Sequence, residues 1–120
     1  MKLTDGERGV LTYIRHYPEW VAEVETLADM RNAITYDADK VQTSPRDDVV
    51  MDVALKIEAA QEKIDKVESA LVTVYRTDER VNMMRMVFCY QGKSTMRKRE
   101  FYTLRKIFAG VLLEVFHENQ

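Results

Sequence analysis

Six cations crowd one short stretch near the end of the chain. Lys93, Arg97, Lys98, Arg99, Arg105 and Lys106 stand within fourteen positions, with Thr95, Tyr102 and Thr103 between them. The chemistry open to such a set is recognition of an anion. If residues 95–106 form a helix with Phe101 at the centre of its buried face, a step of about 100° per residue turns Arg99, Thr103 and Lys106 outward. Arg97, Lys98 and Arg105 then flank the buried stripe, with Lys93 just before it. Outward Arg, Lys and Thr suit base edges in a DNA groove, and flanking cations suit phosphates. An ordinary solvated basic helix is the competing reading.

Other reactive residue types lack the neighbours that chemistry needs. His16 and His117 lie near opposite ends, and neighbours at helical spacing such as Tyr13, Trp20 and Glu114 are too few for a zinc site. Cys89 is the sole cysteine and sits between Phe88 and Tyr90, which reads as a buried, inert thiol. Asp37-x-Asp39 and the Asp47, Asp48 and Asp52 group have oxygen ligands for a divalent cation, yet loop polarity and helix-dipole complementarity explain them more simply. Met83, Met84, Met86 and Met96 read as adaptable core packing, with a pliable partner surface as the sharper alternative. Trp20, Tyr13 and Tyr17 read as core, or else as anchors of an oligomer interface. No phosphate-cradling glycine loop and no serine nucleophile motif is present. The expectation is a non-enzyme with no metal and no cofactor.

Helices must position these residues. Thr4-x-x-Glu7 is a capping box with Leu3 as its staple, ahead of Val10, Leu11 and Ile14. Pro18 predicts a new or kinked helix, along which Trp20, Val24, Leu27, Arg31 and Ile34 step by 4, 3, 4 and 3. Residues 35–44 have no periodicity and read as the main loop. Ser44-Pro45-Arg46-Asp47 opens a long helix, predicted over residues 45–75. Along it Val50, Val53, Ile57, Ala60, Ile64, Val67, Leu71 and Val74 form an unbroken a/d seam, for the core or for an oligomer. Thr77-Asp78-Glu79 caps the next helix, which carries Val81, Met84, Val87 and Phe88 and ends near Gly92 as C′ residue. Ser94 or Thr95 caps the last helix, with Phe101, Leu104, Phe108, Val111, Leu112 and Val115 on one face.

Composition bounds the class. The chain has 120 residues with 46% apolar and 32% charged, which suits one folded domain. Four glycines and two prolines leave few turns and favour long helices. No apolar run approaches the roughly 18 residues of a membrane span, and no signal peptide opens the sequence. A cytoplasmic setting is the expectation. The net charge of −2 is uneven: residues 1–92 hold 12 Lys/Arg against 17 Asp/Glu, and residues 93–120 hold 6 against 3. An acidic body with a basic end hints at an anionic partner.

The stretch Arg99-Glu100-Phe101-Tyr102-Thr103-Leu104-Arg105-Lys106-Ile107-Phe108, followed by Val111 and Leu112, resembles the end of the RinA/ArpU-type phage transcriptional regulators. The spacing of Ile64, Val67, Ala70 and Leu71 and the helix around residues 83–90 also fit that layout. The resemblance covers about the last 60 residues. It implies a helical body, a C-terminal DNA-binding element and a role in switching on phage or prophage genes. In this chain only ten residues separate Tyr90 from Phe101, so the helix-turn-helix is shortened.

The fold expected is an all-α bundle of about five helices, a single domain with a heptad-spined body at 1–76 and a helix-turn-helix-like part at 77–120. A spine this long in a chain this short leaves apolar surface that a homodimer would cover. The first functional expectation is a phage-type regulator that binds duplex DNA. The alternative is a protein-binding module of mobile-element origin, an inhibitor or antirepressor of a host or phage protein.

Overall fold

A computed structural model describes the backbone over residues 2–38 and 45–117, and the side chains over 2–31 and 51–117. The fold is all-α: among the described residues there is no strand. Helix α1 spans Asp5–Tyr13, a 3-10 turn spans Ile14–His16, and α2 (Tyr17–Ala38) continues from it without a break. Helix α3 spans Pro45–Tyr75, α4 Asp78–Cys89 and α5 Lys98–His117.

The ends of these helices follow from their capping residues. Thr4 Oγ1 accepts from the Glu7 amide at 3.2 Å, and Glu7 Oε1 accepts from the Thr4 amide at 2.8 Å, which completes the capping box. Pro18 occupies the second position of α2, where its missing amide costs no hydrogen bond. The helix then runs on through Thr35 to Ala38, so the expected loop starts later than its composition suggests. Its remainder, with Asp39 and the Ser44 cap, lies outside the described residues, as do the side chains of Ile34, Asp37, Asp47, Asp48 and Val50. Helix α3 stops at Arg76, whose φ of 65° breaks the spiral. Thr77 then caps α4 by accepting from the Arg80 amide at 3.3 Å.

The chain divides into two compact units, Met1–Pro18 with Asp65–Gln120, and Glu19–Ile64. Within the second, Trp20, Val53, Ala60 and Ile64 are buried and Ile57, Val24 and Leu27 half-buried. The Lys63 ammonium lies 5.8 Å from the centre of the Trp20 ring. Met51 and Leu55 stand on the outer side of α3, 66% and 58% exposed.

The first unit holds the end that carries the cations. Val67 and Leu71 continue the seam and are fully buried, with Ala70 beside them. At these two positions the seam is core, with no surface left for a second copy. It closes on Tyr75 and leaves Val74 half-exposed. Tyr75, Phe88 and Phe108 pack ring on ring at centroid distances of 5.0 to 6.5 Å, and Phe101 stacks on Phe88 at 6.0 Å. Burying Tyr75, Phe88 and Phe108, with Phe101 half-buried beside them, supplies much of this unit's apolar stabilisation, on the order of 1.5–3 kcal/mol per ring when burial is complete. Helix α1 lies along α5, and the 3-10 turn rests on α4 through the fully buried Ile14.

A polar clasp joins three elements of the same unit. The Glu68 carboxylate of α3 accepts from the Tyr17 hydroxyl at 2.5 Å and from Arg85 Nε and Nη2 at 2.6 and 2.5 Å. Arg85 also donates to Asn82 Oδ1. Bidentate guanidinium–carboxylate geometry is the strong form of this contact. The Arg85 guanidinium holds Glu68 below the usual carboxylate range, while burial and Glu68 together push the Tyr17 hydroxyl well up.

Candidate functional site

The connection between α4 and α5 sets the geometry of the basic segment. Helix α4 ends through Tyr90, whose amide bonds the Met86 carbonyl at 3.2 Å, and Gln91 takes a φ of 58°. The left-handed residue at this helix end is thus Gln91, where Gly92 was expected. Glycine is needed at 92 for another reason. Its amide reaches the Met86 carbonyl at 2.8 Å, and a Cβ there would stand 3.1 Å from that oxygen.

Ser94 and Thr95 do not cap α5, which begins three residues beyond Thr95 at Lys98. Ser94 Oγ accepts from the Met96 amide at 3.0 Å, a local turn that competes with helix. Thr95 Oγ1 donates to Met83 Sδ at 3.2 Å. Residues 90–97 therefore form an eight-residue connection. The turn of a helix-turn-helix has about three or four residues, so α4 and α5 are joined differently.

The buried face of α5 centres on Phe108, Ala109 and Leu112, with Phe101 only half-buried. Phe101, Phe108 and Leu112 fall within about 40° of one another on this helix, so the buried stripe is the one expected, and the cations around it divide between inward and outward positions. Lys106 turns toward α1: its Nζ lies 2.7 Å from Glu7 Oε1 and 3.2 Å from the Lys2 carbonyl oxygen. Lys106 is therefore not an outward base-reading residue. The hydrogen bond from Lys106, followed by that from the Thr4 amide, pulls the Glu7 carboxyl down to about 2. Arg105 also folds inward, with its guanidinium carbon 4.8 Å from the Tyr102 ring centre. Its Nε is buried without a partner, as is the Tyr75 hydroxyl, which burial pushes well up. Phosphate contact through Arg105 would require it to leave that packing.

Four cations remain outward. Lys93, Arg97, Lys98 and Arg99 are all exposed and have no side-chain partner among the described residues. They sit in the connection and the first turn of α5, where the unpaired amides of the helix add partial positive charge. Glu100 is the acid of this turn, and it is engaged by Arg80 at 3.2 Å. Thr103 is half-buried, and its hydroxyl donates to the Arg99 carbonyl at 2.9 Å. Lys98, Arg99, Tyr102 and Thr103 line an open depression of about 560 Å³. This arrangement can hold phosphates or another polyanion.

Cys89 is 2% exposed, and burial pushes its thiol up to about 12. Among the described residues no three His, Cys, Asp or Glu side chains converge as a metal site, and no helix is long and apolar enough to cross a membrane. Comparison with protein-family models, with curated proteins and with solved structures returns no match.

Proposed function

We propose that this chain binds duplex DNA through its phosphate backbone, in the setting of a phage-type transcriptional regulator. The observation that carries this reading is the group of four exposed cations, Lys93, Arg97, Lys98 and Arg99, with no side-chain partner among the described residues. They fall within seven consecutive positions that lead into the positive end of α5, and helix N-termini commonly meet phosphate. The C-terminal resemblance to RinA/ArpU-type regulators points the same way. Base reading, where it occurs, falls to Arg99 and Thr103, since Lys106 is committed to Glu7 and Arg105 to Tyr102.

Phosphate contacts neutralise charge and release counterions, so binding falls with salt. Replacing Arg97 and Lys98 with Ala weakens binding to every duplex alike and reduces the salt slope by about 2. Unchanged affinity and slope in that double variant contradict the proposal.

A second reading is a protein-binding module, an inhibitor or antirepressor. It is favoured by the eight-residue connection, which lacks helix-turn-helix geometry, and by the apolar Ile107 exposed on the outer side of α5. A chain of this second kind leaves duplex DNA unbound even at low salt.

A further inference from the structure

The outward side of α5 forms a single stripe. Arg99, Thr103, Ile107, Gly110 and Glu114 follow one another at steps of 4, 4, 3 and 4. At about 100° per residue they fall within an arc of roughly 80°. That arc lies opposite the buried Phe108, Ala109 and Leu112. Ile107 at its centre is 51% exposed. Gly110 is exposed, and a Cβ built there would meet nothing within 4 Å. Glycine in the interior of a helix is unfavourable, and no neighbour within the chain requires one at this position. Arg99 and Glu114 are both exposed and have no side-chain partner among the described residues.

We infer that this stripe is a docking surface for the same stripe of a second copy, arranged antiparallel. The charges decide both partner and direction. A parallel pair would set Arg99 against Arg99 and Glu114 against Glu114. An antiparallel pair about a two-fold axis sets Arg99 against Glu114 twice, Thr103 against Gly110 twice, and the two Ile107 side chains together at the centre. The open Gly110 position lets the Thr103 methyl of the other copy approach the backbone closely. The stripe is thus complementary to its own reverse, which is the requirement of an isologous interface.

A groove beside the stripe favours the same occupant. It has a volume of about 520 Å³, and its walls include Val74 and Arg76 at the end of α3 and Leu104, Ile107 and Val111 of α5. Arg80, which bridges Glu100, also lines it. In the antiparallel register Glu114 of the second copy comes in beside Arg99, at the Glu100 end of the groove, where Arg80 supplies a further cation. The pairing sets Lys98 of each copy about 25 Å apart along the helix axes, with the two basic segments at opposite ends. Arg99 and Thr103 belong to both surfaces, so where two copies pair, DNA contact rests on Lys93, Arg97 and Lys98, which lie outside the stripe.

Sedimentation equilibrium of the full chain over a range of concentrations tests the interface, with circular dichroism melts to verify that each variant is folded. The wild type self-associates to a dimer. Ile107→Lys and Glu114→Arg each weaken the dimer at least about tenfold. The charge-swapped Arg99→Glu/Glu114→Arg variant recovers to within about threefold of wild type, because it rebuilds the same pairs in reverse. If Ile107→Lys unfolds the chain, the charge variants decide alone. A wild type that stays monomeric at about 500 µM overturns the inference. So does a dimer that Glu114→Arg leaves unchanged, or a swap no better than its single variants.

Discussion

Lys106 Nζ and Glu7 Oε1 meet at 2.7 Å and tie α5 to α1 across 99 positions of sequence. The same carboxylate closes the Thr4 capping box, so one acid caps the first helix and anchors the last. The Lys106 cation belongs to the fold, and the outward charge of α5 comes from its first turn and the connection before it.

That contact has a pH signature. Glu7 is held near 2 in the folded chain, against an ordinary value of 4.5. The folded value is depressed, so the stability it contributes is fully present above about pH 4.5 and is lost as pH falls toward 2. Glu7→Gln is expected to lower Tm at pH 7 and to flatten the fall in stability between these pH values. Urea melts at a series of pH values check both effects.

The Glu68 clasp is expected to matter more. Glu68→Gln leaves Arg85 without its bidentate partner in a half-buried site and costs about 1–3 kcal/mol. Tyr17→Phe removes a single hydrogen bond and costs about 0.5–1.5 kcal/mol. The two losses fall short of additive in the double variant, because both hydrogen bonds end on one carboxylate. Chemical denaturation of the four chains measures the cycle.

Residues 91 and 92 should respond in opposite directions. Gln91 carries the positive φ, so Gln91→Gly relieves backbone strain and raises stability by less than about 1 kcal/mol. Gly92→Ala pushes a Cβ against the Met86 carbonyl and lowers stability by about 1 kcal/mol or more. Were glycine needed at 92 for its φ, Gln91→Gly would be neutral or destabilising.

Cys89 should be silent in the native state. Its thiol is buried and held near 12, so a disulfide reagent at pH 8 labels it only as fast as the unit opens. Labelling that is rapid in native buffer and insensitive to stabilising conditions would contradict this burial.

Much of the fold was legible because local signals agreed with the global pattern. The Ser-Pro start and the regular seam place α3 over residues 45–75, the span it occupies. Thr4 and Thr77 cap the helices that their sequence contexts suggest. The start of α5 was not legible, because Ser94 caps a local turn in place of the helix. The buried stripe of α5 was legible, since Phe108 and Leu112 share the face of Phe101 as their spacing requires. The contacts that hold Lys106 on Glu7 and Arg105 over Tyr102 withdraw both from the candidate interface. The α1 side of the Lys106 contact has no trace in the α5 sequence, because its partner lies near the start of the chain.

The most direct test of the central proposal is fluorescence anisotropy of a labelled random duplex, titrated with the chain at several salt concentrations. Four phosphate contacts from a single copy predict a slope of log affinity against log salt of about −3.6, and three from each copy of a dimer about −2.7 per copy, with binding in the micromolar range or tighter at low salt. No binding at low salt, or binding indifferent to salt, would contradict DNA contact through Lys93, Arg97, Lys98 and Arg99 and leave protein recognition as the reading to pursue.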